Sequence, residues 1–236
     1  MATRCLTYYI TDRKAFPGGE SERRRCLLEK IAEAAQAGID YIQLREKDLS
    51  TRELESLARD AVRTIREVQQ LNSDGRPPAP ALLMNSRVDV AIASEADGVH
   101  LRSEDISPED VKKTWMCGAG TPFDRLRAGS ARELSPRTPV IGVSCHSPEA
   151  VAQAAANGAN FAVFGPVFEK RDTPGVRAAG LAQLQQACRV NIPVFALGGI
   201  TLENARSCLE AGAAGIAAIR LFQENDVAAV VKELRG

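Results

Sequence analysis

The chain has 236 residues, 44% of them hydrophobic, with thirty basic residues against thirty acidic ones. That length and apolar content suffice for a full core, at a size common for a single α/β barrel domain, and exclude a chain disordered throughout. The even charge balance supplies no global field for nucleic acid or an anionic membrane, so any attraction for an anionic ligand has to be local.

Apolar runs of strand type alternate with helical spacing along the chain. Leu6–Ile10 predicts the first strand and Glu22–Gln36 the first helix; Tyr41–Leu44 and Thr51–Val68 follow. Ala81–Met84 leads to the short helical stretch Val88–Ser94, and Gly98–Leu101 to Pro108–Trp115. Val140–Ser144 precedes a helix over Pro148–Asn157, Phe161–Gly165 one over Leu181–Val190, Val194–Leu197 one over Leu202–Ala211, and Gly215–Ile219 one over Val227–Leu234. Three helices run into small-residue turns, Ala37-Gly38-Ile39-Asp40, Asn157-Gly158-Ala159-Asn160 and Ala211-Gly212-Ala213-Ala214, where glycine suits a left-handed cap. Eight strand-and-helix units over residues 1–236 predict one (β/α)8 TIM-barrel domain with its chemistry where the strands end. An open doubly wound sheet is the alternative, but Tyr9-Ile10-Thr11-Asp12-Arg13 carries no glycine-rich phosphate loop after the first strand. The longer basic stretch Cys117–Thr138 joins a helix to a strand and is read as a surface insertion on the opposite face.

Six scattered cysteines (Cys5, Cys26, Cys117, Cys145, Cys188, Cys208) lack the pairing of a zinc site and the density of a disulfide scaffold, which suits a reducing cytoplasm. The start of the chain lacks the regions of a signal peptide, and no apolar run is long enough to span a bilayer. No nucleic-acid or membrane partner is therefore expected, and a homo-oligomer is compatible with the sequence.

Polar residues gather at the predicted strand ends. The run Tyr41-Ile42-Gln43-Leu44-Arg45-Glu46-Lys47-Asp48 is the densest, and period two puts Gln43, Arg45 and Lys47 on one side of an extended segment. An anionic substrate is their natural counterpart; a solvated strand end with surface ion pairs is the plain alternative. Asn85, Ser86 and Arg87 follow the third strand, and Arg102, Glu104 and Asp105 the fourth; Asp12, Arg87 and Glu104 can equally be loop surface. His100 lies inside the fourth strand and reads as barrel-lining as readily as catalytic. His146, in Val143-Ser144-Cys145-His146-Ser147, is placed to donate to phosphate oxygens or to move a proton. Gly198-Gly199-Ile200-Thr201 and Ile219-Arg220 end the last two strands, where barrels commonly hold phosphate.

With these segments the chain resembles the thiamin phosphate synthase family, including its thiazole tautomerase branch. YIQLREKD (41–48), MNSRVDVA (84–91), ADGVHLRSED (96–105), GVSCHS (142–147), GANFAVFGPVF (158–168), IPVFALGGIT (192–201) and AGAAGIAAI (211–219) carry the resemblance in their order and spacing. It implies a TIM barrel that couples hydroxymethylpyrimidine diphosphate with a thiazole phosphate, giving thiamin phosphate and pyrophosphate with the help of Mg2+. Gln43, Asn85, Arg45, Lys47 and Ser144 would then form the pyrimidine diphosphate site, Asp105 would be a Mg2+ carboxylate, and Gly198, Gly199, Ile219 and Arg220 would hold the thiazole phosphate. Three departures stand out. Ser86 replaces the family's second metal carboxylate and should weaken Mg2+. Arg102 introduces a cation, and after the sixth strand the family's two hydroxyl residues and lysine correspond to Lys170, Asp172 and Thr173, a rearrangement of charge for which Arg171 or Lys170 would compensate. The tautomerase branch, which needs no metal, is suited by Ser86, His146 and Phe168-Glu169; Gln43, Lys47 and Asp105 favour the synthase. A barrel that binds thiamin precursors or phosphate as a non-catalytic regulator is the reading from another class.

Overall fold

In the computed structural model, which describes residues 4–71, 78–118, 138–169 and 177–236, eight parallel strands close on themselves in sequence order. The strands are β1 (Leu6–Ile10), β2 (Tyr41–Leu44), β3 (Ala81–Asn85), β4 (Gly98–Leu101), β5 (Val140–Cys145), β6 (Phe161–Phe164), β7 (Val194–Leu197) and β8 (Gly215–Ala218). Between and after them lie α1 (Glu20–Gln36), α2 (Thr51–Gln70), α3 (Val88–Ser94), α4 (Pro108–Gly118), α5 (Pro148–Ala156), α6 (Gly180–Ala187), α7 (Leu202–Glu210), α8 (Arg220–Gln223) and α9 (Val227–Arg235). The barrel closes where Leu6 pairs with Gly215 and Tyr8 with Ala217. An open sheet is excluded by that pairing.

Each helix is held by one apolar face. In α2, Leu54, Leu57, Ala58, Ala61, Val62, Ile65 and Val68 recur at three- and four-residue spacing, and all are buried against the strands. Ser50 starts this helix in a capping box with Glu53, an arrangement that stabilises a helix start by about 1 kcal/mol. The three glycine turns adopt the expected left-handed conformation, with φ of +77° at Gly38 and Gly158 and +102° at Gly212. They reverse the chain at the rim where strands begin. Of the Cys117–Thr138 stretch, residues 119–137 lie outside those described; its flanks are the end of α4 and the approach to β5.

Inside the strands a second, smaller core fills the barrel with Tyr8, Ile10, Leu83, Phe161, Val163, Phe195 and Ala217. Tyr8, Phe161 and Phe195 meet edge to face, with ring centroids 5.1 to 5.8 Å apart. Each such contact adds about 0.5–1.5 kcal/mol beyond area burial. This aromatic plug is the floor of the site, because the next inward-facing positions along the strands are polar. Gln43 lies two residues beyond Tyr41, Asn85 two beyond Leu83, and Ser144 two beyond Gly142.

Candidate active site

Beyond β2 the chain keeps its alternation. Glu46 and Asp48 turn to one side, where a buried Arg13 takes both. Asp48 is chelated through both oxygens at 2.7 and 2.8 Å, and Glu20 by the opposite edge of the guanidinium at 2.7 and 3.2 Å. Glu46, with a side chain only 2% exposed, accepts from the Arg13 guanidinium and backbone N–H and from the Thr11 hydroxyl at 2.6 Å. The Arg13 guanidinium beside Asp48 holds that carboxyl well below the usual range. Thr11 also accepts the Arg45 N–H at 3.0 Å, so the backbone that carries Arg45 is fixed from β1.

The opposite side of the run is left with cations. Neither the Arg45 guanidinium nor the Lys47 ammonium makes an ion pair among the described residues. Repulsion by Arg45, then burial, then repulsion by Arg102 lowers the Lys47 pKa. A lysine repelled by two arginines at one rim is a prepared seat for a multiply charged anion.

A chain of polar contacts crosses from β2 to β4. The Gln43 amide, 2% exposed, donates to the Asn85 side-chain oxygen at 2.8 Å. Ser86 stands at φ +59°, a conformation costing about 1–2 kcal/mol for a side-chain-bearing residue. Its N–H donates to the His100 carbonyl at 2.9 Å and its hydroxyl to Asp105 Oδ2 at 2.6 Å, contacts that offset the cost. Asp105 Oδ2 also accepts the Arg102 N–H at 2.8 Å, while Oδ1 accepts the Arg102 guanidinium at 2.9 and 3.3 Å. Burial alone would raise the Asp105 pKa; the Ser86 and Arg102 contacts outweigh it and hold it below the ordinary carboxylate value.

These residues do not fit a resident Mg2+. Both oxygens of Asp105 are engaged by donors, Ser86 offers it a hydroxyl instead of a second charge, and a guanidinium occupies its open side. Among the described residues no group of three His, Cys, Asp or Glu side chains gathers as a metal site. Asp105, expected as a metal carboxylate, here anchors Arg102.

Ser144 rises from the aromatic floor. Its hydroxyl lies 2.8 Å from His100 Nε2, and His100 Nδ1 lies 3.1 Å from the Tyr8 hydroxyl. Burial pushes His100 down to about 4 and Tyr8 well up, so both are neutral near pH 7. With Tyr8 donating to Nδ1, Nε2–H donates to Ser144 and frees the serine proton for the site. His100 is thus a lining residue that orients Ser144. His146 is exposed above β5, and its Nδ1 donates to the Gly165 carbonyl at 2.6 Å, which leaves Nε2 as an acceptor on the neutral ring.

On the far side, Gly198 and Gly199 have φ of +99° and +64°. A Cβ at Gly199 would stand 2.6 Å from the Glu169 carbonyl oxygen and 2.8 Å from Phe168 Cβ. Only glycine lets the β7 end pack under the β6 loop here. Ile219, half-buried, precedes α8, and Arg220, exposed, begins it. Lys170, with Arg171, Asp172 and Thr173, lies outside the described residues.

Sequence patterns did not reveal Arg13 or Gln223. Gln223 accepts the Tyr9 hydroxyl at 2.9 Å and the Asp12 N–H at 3.1 Å, and donates to the Asp12 carbonyl at 2.7 Å. It ties α8 to the loop that carries Arg13. One signal for Arg13 was available: Glu46 shares the parity of Leu44, hence the helix-facing side of the strand, where a carboxylate requires a buried cation.

A family model described as thiamine monophosphate synthase matches residues 7–121 and 122–222. A thiamine-phosphate synthase of Pyrococcus abyssi is 34% identical over 232 residues, covering 97% of this chain and 92% of that protein. One from Clostridium novyi is 33% identical over 223 residues, covering 93% and 91%. The solved thiamine phosphate pyrophosphorylase of Pyrococcus furiosus superposes with a TM-score of 0.72 at 30% identity, covering 99% of this chain and 95% of that one. Full-length agreement in sequence and in barrel architecture has one meaning: the chain belongs to the thiamine monophosphate synthase family.

Proposed function

We propose that this chain is a thiamine-phosphate synthase, a transferase joining a hydroxymethylpyrimidine diphosphate to a thiazole phosphate. The observation that carries the reading is the sorting of charge beyond β2. Arg13 consumes Glu46 and Asp48, so Arg45 and Lys47 remain unspent on the site side. Such a pair suits a leaving diphosphate. As the C–O bond to the pyrimidine methylene breaks, its electron pair passes to the departing oxygen, and fixed guanidinium and ammonium groups stabilise the charge that gathers there. The thiazole nitrogen then supplies the pair for the new C–N bond and becomes a thiazolium; no proton is lost from it.

The other residues take supporting parts. The paired amides of Gln43 and Asn85 orient the aminopyrimidine, and the freed Ser144 proton faces the diphosphate. Gly198, Gly199, Ile219 and Arg220 seat the thiazole phosphate, His146 is assigned to meet phosphate oxygens, and Lys170 is assigned to the substrate loop. The tautomerase reading has less support, because the relatives named above are synthases. Among the described residues no helix is long and apolar enough to cross a membrane, and all six cysteines are free, which agrees with work in the cytoplasm.

The test is to incubate the purified chain with both phosphorylated substrates, in Mg2+ and in EDTA, and to measure thiamine phosphate and pyrophosphate. Stoichiometric formation of both products is expected, falling about 100-fold or more in Arg45→Ala if one positioned cation carries about 3 kcal/mol of transition-state stabilisation. Isomerisation of a thiazole carboxylate phosphate without any coupling would replace this reading with the tautomerase.

A further inference from the structure

Arg102 poses a question that substrate seating does not answer. Its side chain is 54% exposed, yet its Nε and one terminal nitrogen are committed to Asp105, whose own side chain is only 12% exposed. Glu104, 77% exposed, lies 3.8 Å from the remaining terminal nitrogen, too far for a hydrogen bond. The guanidinium is therefore held in one place by a half-buried partner while keeping N–H donors for something outside. Lys47 lies close enough for the two cations to repel one another. Asp105, for its part, has no oxygen left without a donor.

We propose that Arg102, latched to Asp105 and Ser86, supplies the positive charge that a divalent cation would bring to a bound diphosphate, so that this chain takes pyrophosphate without metal. The inference rests on the diphosphate reading of the site and deepens it. An aspartate at position 86 would give a metal two carboxylates; a serine there donates to Asp105 and reinforces the latch. A guanidinium offers planar, forked donors that match two oxygens of a phosphoryl group and cannot be titrated away near neutral pH. Held by Asp105, it loses little further freedom on binding. In the coupling step it would accept no proton and exchange no electrons; it neutralises the oxygen that receives the broken bond's electron pair.

The experiment is isothermal titration of inorganic pyrophosphate into the wild-type protein, Arg102→Gly, and Arg102→Gly/Ser86→Asp, each in EDTA and in excess Mg2+, with thermal unfolding to confirm the fold of each variant. Wild-type affinity is expected to differ by less than about threefold between the two buffers. Arg102→Gly should lose about tenfold or more in EDTA, the loss of a charge-assisted hydrogen bond. The double variant should recover affinity only with Mg2+. A wild-type protein that binds pyrophosphate in Mg2+ but about tenfold more weakly in EDTA overturns the proposal while leaving the synthase reading standing, and so does an Arg102→Gly variant that binds as tightly as wild type in EDTA. Absence of pyrophosphate binding in both buffers removes the diphosphate reading itself, and this inference with it.

Discussion

Replacing Arg13 by methionine keeps an unbranched apolar stem and removes the charged guanidinium. The consequence falls unequally on its three partners. Glu20 and Asp48 are 58% and 38% exposed and can turn to water, but Glu46, 2% exposed, would be left as a buried carboxylate with the Thr11 hydroxyl and the residue 13 N–H as donors. Breaking a buried pair from one side costs about 3–5 kcal/mol, most of it the price of the stranded charge. For a chain of this length that is a fall in Tm of about 6–20 °C. Urea unfolding followed by circular dichroism measures it, and the double variant Arg13→Met/Glu46→Gln isolates the cause, since a neutral amide restores much of the loss. Pyrophosphate affinity should fall in Arg13→Met as well, because Thr11 and Glu46 set the backbone from which Arg45 and Lys47 project. A loss below about 1 kcal/mol, or no recovery in the double variant, would refute the assignment of Arg13 as the anchor of that segment.

Two further outcomes follow from the interior and the far rim. His100 stays neutral in the fold down to about pH 4, against an ordinary value of 6.5. The unfolded chain therefore binds the extra proton between those values, and stability, complete above pH 6.5, is lost as the pH falls towards 4. The slope is about 1.4 kcal/mol per pH unit, or about 2 kcal/mol at pH 5; His100→Gln should flatten it in urea titrations at pH 7 and 5, and identical pH dependence in both proteins would discard the point. Gly199→Ala meets both a left-handed φ and a collision with Glu169 and Phe168. Its KM for the thiazole phosphate should rise about tenfold or more while pyrophosphate affinity changes little; an unaltered KM would remove Gly199 from the phosphate seat.

The strands were legible because their inward and outward faces are both apolar and glycine or polar residues bound them. Leu6–Ile10, Tyr41–Leu44, Gly98–Leu101 and Val194–Leu197 coincide with the observed strands. Disagreements are confined to ends: β3 and β5 run on through Asn85 and Cys145, and β6 and β8 stop one residue short of Gly165 and Ile219. The short helical pieces Arg13–Ala15 and Arg220–Gln223 left no trace, since a single turn has no period. Within the site, period two placed Gln43, Arg45 and Lys47 together. What the pattern could not give is the pairing that spends some charges and spares others. Arg13 and Arg102 look alike in a list of residues; one is sealed by three carboxylates, the other pinned by one and open outward.

The contact between Leu6 and Gly215 also imposes an order on a chain made from its N-terminus. β1 emerges first, and β2 covers one of its edges within a few dozen residues. Its other edge waits for β8, and bringing together ends about 200 residues apart costs about 5 kcal/mol of chain entropy. Until then the growing sheet carries two bare edges, that of β1 and that of the newest strand, each a template for a neighbouring chain. Both disappear in one event when Gly215–Ala218 arrives, and Gln223 then fastens the newcomer to the Asp12 backbone. The hazard of aggregation during synthesis is thus concentrated before the last unit, and Gln223, which fastens that unit in place, is also the residue that steadies the first loop of the site.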